Sequence, residues 1–141
     1  MIKITRKEID IQEVLETVQS PDAGAVVTFD GTVRNYARGK AVTHLFYEVY
    51  EEMAARELES IREEALCRWP LRKLVIVHRT GRLEIGDSSV FIAVSSAHRS
   101  DAFSACSFVI DRLKTRAPIW KKEFYADGEI WVEGYADHLS N

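Results

Sequence analysis

Between residues 51 and 69 the chain repeats Ala54, Leu58, Ile61, Ala65 and Trp69 at helical spacing, with charged residues between them. Pro70 ends the run. This is the longest helix that the sequence predicts, and it falls in the middle of a set of strands. Residues 25–34 and 43–50 precede it; residues 73–79 and 90–95 follow it. A long helix between the second and third strands permits a crossover, and so a partly parallel, mixed sheet.

The other segments fill in the pattern. Residues 10–19 read as a short helix with Ile11, Val14, Leu15 and Val18 on one face, and Asp10 with Glu13 has capping-box spacing. Ser20-Pro21-Asp22 ends it. The strands 25–34 and 43–50 can form a hairpin whose long basic tip, residues 35–42, holds Arg38, Gly39 and Lys40. Ser100 is a candidate cap for a third helix over 101–116, with Ala102, Phe103, Cys106, Val109, Ile110 and Leu113 as its buried stripe. Pro118 disfavours the helical conformation at Ala117 and stops it there. Asp127-Gly128, between aromatic-rich runs at 119–125 and 129–133, is the strongest hairpin signal. Helices and hairpins mix without strict β-α-β alternation, which predicts an α+β fold: a mixed sheet with hairpins and three main helices.

The chain has 141 residues, the size of one domain, and 1–141 is expected to be one. It can bury a core without disulfide or metal staples. A net charge of −3 and a pI near 5.8 give no support to a nucleic-acid or membrane-surface protein, so any positive site must be local. Cys67 and Cys106 form no CxxC pair and suit a reducing compartment. The charged N-terminus lacks the apolar stretch of a signal peptide. No segment approaches the roughly 18 apolar residues needed to span a bilayer. The expectation is a soluble cytoplasmic protein.

Three places can carry chemistry. The first is 112–122, with Arg112, Lys114, Arg116, Lys121 and Lys122 and no acidic residue. Lys114 falls in the last turn of a helix, Pro118 turns the chain, and Lys121 begins the next strand. That corner can aim two amines at one pocket, where a lysine acts as a general acid or base or steadies a developing anion. The competing explanation is ordinary: basic residues favour the negative end of the helix dipole. The second is Ser96-Ala97-His98-Arg99-Ser100, where a strand hands over to a helix. The first-turn N–H groups, an Arg and a His make a natural anion seat there, or else a plain capped surface turn. The third is Phe29-Asp30-Gly31-Thr32-Val33-Arg34. Gly31 inside a strand suggests a bulge or a close approach, and Arg34 at the strand end can reach an anion.

Other chemistry finds little support. His44, His78, His98 and His138 lack metal-ligand spacing, and His78-Arg79 before Gly81 reads as the close of a strand. Neither cysteine has an evident activating neighbourhood, so both read as small apolar packing residues. There is no GxSxG, P-loop or GxGxxG. No metal and no cofactor is expected.

Six stretches together resemble one family. They are Gly24-Ala25-Val26-Val27-Thr28-Phe29 with Gly31-Thr32-Val33-Arg34; Leu45-Phe46-Tyr47-Glu48-Val49-Tyr50; Arg68-Trp69-Pro70-Leu71; His78-Arg79-Thr80-Gly81-Arg82-Leu83; Ser96-Ala97-His98-Arg99-Ser100 with Ala102-Phe103; and Leu113-Lys114-Thr115-Arg116-Ala117-Pro118-Ile119-Trp120-Lys121-Lys122-Glu123. In this order the chain resembles the large, catalytic subunits of molybdopterin synthase, the MoaE family. The first 20 residues and those after Gly134 match poorly.

The resemblance implies an α/β-hammerhead fold and a homodimer of large subunits. Each would hold a small ubiquitin-like, MoaD-like sulfur-carrier subunit, giving a heterotetramer. The carrier's C-terminal glycine would bear a thiocarboxylate and donate its sulfur to cyclic pyranopterin monophosphate, forming the dithiolene of molybdopterin. Lys114 and Lys121 match the family's essential lysines. Thr32, Val33 and Arg34, then His98 and Arg99, then Lys121, Lys122 and Glu123 match its substrate contacts, with His98 and Arg99 open to coming from the neighbouring protomer. Because the sulfur would arrive on a partner, no catalytic cysteine is needed. Two rivals stand beside this reading. One is a non-catalytic module binding nucleic acid or another anion through Arg38, Lys40 and the 114–122 strip. The other is a scaffold.

Overall fold

The structure is a computed structural model that describes residues 1–134. Its elements in chain order are β1 (Ile2–Thr5), α1 (Ile11–Val18), β2 (Ala25–Thr32), β3 (Tyr36–Ala37), β4 (Lys40–Val49), α2 (Glu51–Arg68), β5 (Leu71–Arg79), β6 (Gly81–Glu84), β7 (Ser88–Ser96), α3 (Arg99–Arg116), β8 (Ile119–Tyr125) and β9 (Ile130–Gly134). The α+β class and the three helices are as expected. His138 lies outside the described residues.

Helix ends follow local chemistry. The Glu13 N–H donates to Asp10 Oδ1 at 3.1 Å, capping α1. Ala117 is extended (φ −76°, ψ 131°) ahead of Pro118, so α3 stops where the sequence predicts. Its start differs: the cap residue is His98, and Ser100 lies inside the first turn. Ser96 Oγ donates to the His98 carbonyl at 2.5 Å, which closes the strand-to-helix turn earlier.

The strands form two sheets. The first has the order β1-β5-β7-β2, with β1 parallel to β5 and the other pairs antiparallel, so it is mixed. The second joins β3, β4, β8 and β9, with β6 also on β4. The expected hairpin between residues 25–34 and 43–50 is not formed: β2 pairs with β7, whereas β4 pairs with β8 and β6. The reason is local. Arg38 and Gly39 both have positive φ (53° and 75°), the signature of a two-residue type I′ turn, and they fold β3 onto β4 alone. The hairpin at Asp127-Gly128 does form, with Phe124 opposite Ile130.

β5 and β7 are buried on both faces. Leu74, Ile76, Ile92 and Val94 point to α2 and α3, while Val75, Val77, Phe91 and Ala93 point to α1. That explains their near-continuous apolar runs. A third cluster, Val33, Val42, Leu45, Leu83 and Tyr125, belongs to the second sheet. On α3 the stripe is Ala102, Ala105, Cys106, Phe108, Val109 and Leu113; Phe103 is 60% exposed, against expectation. Phe103 sits one residue, about 100° of helix turn, past Ala102 and off the buried face. Cys106 packs as expected, and burial pushes its thiol up to about 11. Cys67 does not pack; it is exposed near the end of α2. Among the described residues no helix is long and apolar enough to cross a membrane.

Candidate active site

A pocket of about 430 Å³ opens where the two sheets meet the C-terminal end of α3. β2 contributes Phe29, Gly31 and Thr32, and Arg34 follows it; β4 contributes Tyr47, β5 His78, α3 Lys114, and β8 Lys121 and Glu123. The Gly31 position is tight. A Cβ there would lie 2.8 Å from Val90 Cγ1, and the β2–β7 register shifts between Gly31 and Thr32. The bulge read from the sequence is present, and it lets the chain leave the sheet with Thr32 and Arg34 on the pocket wall.

The basic corner has the geometry that the sequence predicts. Lys114 comes from the last turn of α3 and Lys121 from β8, with the bend at Ala117-Pro118 between them, and both line the pocket. Arg116 anchors the helix end. Its guanidinium reaches Glu64 at 2.5 Å and Glu57 at 3.2 Å, both on α2. The two lysines have different surroundings. Lys121 Nζ lies 3.6 Å from Glu133 and 3.9 Å from Glu123. Lys114 and Arg34 form no ion pair among the described residues. Three cations thus face two carboxylates, and the balance favours an anionic guest.

The floor is neutral. His78 is buried, and desolvation lowers its pKa to about 4. Its Nδ1 lies 2.8 Å from the Arg79 carbonyl. That assigns the proton to Nδ1 and leaves Nε2 an acceptor. Tyr47 meets the imidazole edge-on at 5.1 Å between centroids. Burial raises the Tyr47 phenol above its ordinary pKa, with a hydrogen bond to Ser89 opposing. Sequence reading missed both residues as site members. The signal available was a histidine inside an apolar strand, and it was read as strand closure.

Four expected residues lie elsewhere. Val33 alternates away from Thr32 and Arg34 into the third core cluster. Lys122 faces the opposite side of β8 from Lys121, with Nζ 3.5 Å from Glu48. His98 and Arg99 are exposed at the start of α3, about 22 Å from Lys114 at 1.5 Å of rise per residue. Among the described residues no group of His, Cys, Asp or Glu is arranged to hold a metal ion.

The comparisons with known proteins agree with one another. The family described as MoaE protein matches residues 4–116. Molybdopterin synthase catalytic subunit of Pseudomonas aeruginosa is 53% identical over 116 residues, covering 82% of this chain and 77% of that protein. The Arabidopsis thaliana protein of the same name is 48% identical over 126 residues, 89% of this chain; those residues span only 64% of the plant protein. The crystal structure of molybdopterin synthase from Staphylococcus aureus superposes with a TM-score of 0.88 at 41% identity, covering 93% and 95% of the two chains. A complex of subunits 1 and 2 of molybdopterin-converting factor from Helicobacter pylori gives 0.74 at 25% identity, covering 89% and 86%. Fold and site define an α+β protein with a cation-lined pocket whose lining includes no cysteine. The chain belongs to the MoaE family.

Proposed function

We infer that this chain is the catalytic subunit of a molybdopterin synthase, a sulfur-transferring enzyme of molybdenum cofactor biosynthesis. The observation that carries the reading is the convergence of Lys114, Lys121 and Arg34 on one pocket. The relatives' shared name and the two-subunit Helicobacter pylori complex support it. The sulfur donor is the C-terminal thiocarboxylate of a small MoaD-like carrier, and the acceptor is cyclic pyranopterin monophosphate. Both are anions, and the converging cations offset their repulsion. Lys114, without a carboxylate of its own, stabilises charge or moves a proton at the thiocarboxylate. Lys121 steadies substrate and tail, Glu123 orients Lys121, and Thr32 and Arg34 help seat the substrate.

His98 and Arg99 hold the phosphate from the neighbouring protomer of a homodimer, which with two carriers makes a heterotetramer. Their position at the far end of α3 and the exposed Phe103 beside them support an arrangement across two protomers. A cytoplasmic location fits two cysteines that are both free. The nucleic-acid reading loses its footing at the basic tip. Arg38 is engaged by Glu123 and Glu133, and Lys40 by Asp127 and Glu129.

The test is Lys114→Ala, assayed with thiocarboxylated carrier and the pyranopterin precursor. Loss of dithiolene product from a folded variant is expected. Near-normal turnover overturns the role.

A further inference from the structure

Arg38 occupies a backbone position that suits it poorly. Its φ is 53°, left-handed, and Gly39 follows at 75°. At the first central position of such a turn Asn, Asp or Gly is the relaxed choice, and an arginine carries a steric cost. The side chain has a specific destination. Nε donates to Glu123 Oε1 at 3.2 Å, a terminal nitrogen lies 3.5 Å from Glu133 Oε2, and the guanidinium carbon sits 3.9 Å over the Trp131 ring. Tyr125 adds a hydroxyl hydrogen bond to the same Glu123 oxygen at 3.1 Å.

The carboxylates that hold Arg38 are the two that flank Lys121. Strand register makes the sharing unavoidable. Lys121 and Glu123 alternate onto one face of β8, and β9 sets Glu133 opposite Lys121 and Trp131 opposite Glu123. The Arg38–Glu123 contact is closer than the Lys121–Glu123 one, 3.2 Å against 3.9 Å. Without Arg38, both carboxylates would lose a cation that they share with Lys121. They would draw the Lys121 ammonium closer, and less of its charge would face the pocket.

We propose that Arg38 is a positioning residue for the anion site: it neutralises Glu123 and Glu133 from the rim, so that Lys121 presents its charge to the pocket instead of spending it on them. This rests on the reading of the pocket as the seat of an anionic substrate. It gives the β3–β4 turn a function that the sequence alone suggested only as a basic tip.

The deciding variant is Arg38→Asn, which removes the guanidinium while relaxing the left-handed turn, so it should fold at least as well as the parent. KM for cyclic pyranopterin monophosphate should rise roughly threefold to tenfold with a smaller change in kcat. Arg38→Lys, which keeps the charge, should recover part of the loss. A second readout needs no turnover. In brief acetylation followed by mass spectrometry, labelling of Lys121 relative to Lys122, on the opposite face, should fall at least about twofold in Arg38→Asn as both carboxylates close on Lys121. An unchanged or increased labelling ratio, or an unchanged KM, overturns the proposal. If Lys121→Met keeps full turnover, the anion-site reading fails instead, while the labelling ratio still reports whether Arg38 governs Lys121.

Discussion

Lys121 and Lys122 are neighbours in sequence and face opposite sides of β8. The first looks into the pocket beside Glu123 and Glu133; the second lies against Glu48 and Phe46. A period of two separates residues that a linear motif treats as one unit. Lys121→Met should therefore lower kcat/KM by about a hundredfold, the scale of losing one charge-stabilising donor. Lys122→Met should change substrate KM by less than about twofold, as for an exposed ion pair. Steady-state kinetics with saturating carrier separates the two.

The same alternation explains what could be read from the chain and what could not. The corner at Ala117-Pro118 was legible because proline chemistry is local, and so were the Asp10 cap, the Gly31 bulge and the Asp127-Gly128 hairpin. The partners of β2 and β4 were not. Both strands alternate well enough to pair with each other, and only the tight turn at Arg38-Gly39 and the distant β7 and β8 decide otherwise. β1 was missed because four residues, followed by the charged run Arg6-Lys7-Glu8, make too short a strand signal; it exists because β5 offers it an edge. His78 was missed for a related reason. Its burial comes from elements far away in sequence, with Tyr47 on β4 and Ser89 on β7 closing the floor around it.

His78 makes stability depend on acid. Its folded pKa of about 4 lies below the ordinary 6.5, so between those values the unfolded chain takes up a proton that the folded chain refuses. Its contribution is intact above about pH 6.5 and is lost as pH falls towards 4. The loss is about 2–3 kcal/mol, from the size of the shift. Urea unfolding at pH 7 and pH 4 should show it. In His78→Asn, which keeps a donor towards the Arg79 carbonyl, the difference between the two pH values should shrink by that amount. An equal difference in both proteins would mean that the surface carboxylates account for the acid sensitivity.

Gly31 should not tolerate a side chain. An added Cβ meets Val90 Cγ1 at 2.8 Å and Phe29 at 3.2 Å, and Val90 is itself buried. Gly31→Ala should cost about 1–3 kcal/mol through overpacking. Thermal unfolding should drop by several degrees, roughly 2–4 °C per kcal/mol at this size. A variant of unchanged Tm would show that the bulge has room to shift.

The division of labour along α3 yields the sharpest test of assembly. Lys114 stands at one end of the helix and Arg99 at the other, about 22 Å apart by helical rise, too far to serve one pocket within one chain. If each site takes Lys114 from one protomer and Arg99 from the other, Lys114→Ala and Arg99→Ala homodimers are both impaired, yet a mixed dimer holds one intact site. In it, the Arg99→Ala protomer keeps Lys114 and receives Arg99 from its partner. Random exchange of equal amounts gives half mixed dimers, so about a quarter of wild-type sites should reappear, as two-fold symmetry requires. Denaturing and refolding the two variants together, then assaying product, measures this directly. Activity no higher than the average of the separate variants would place Arg99 outside the partner's site.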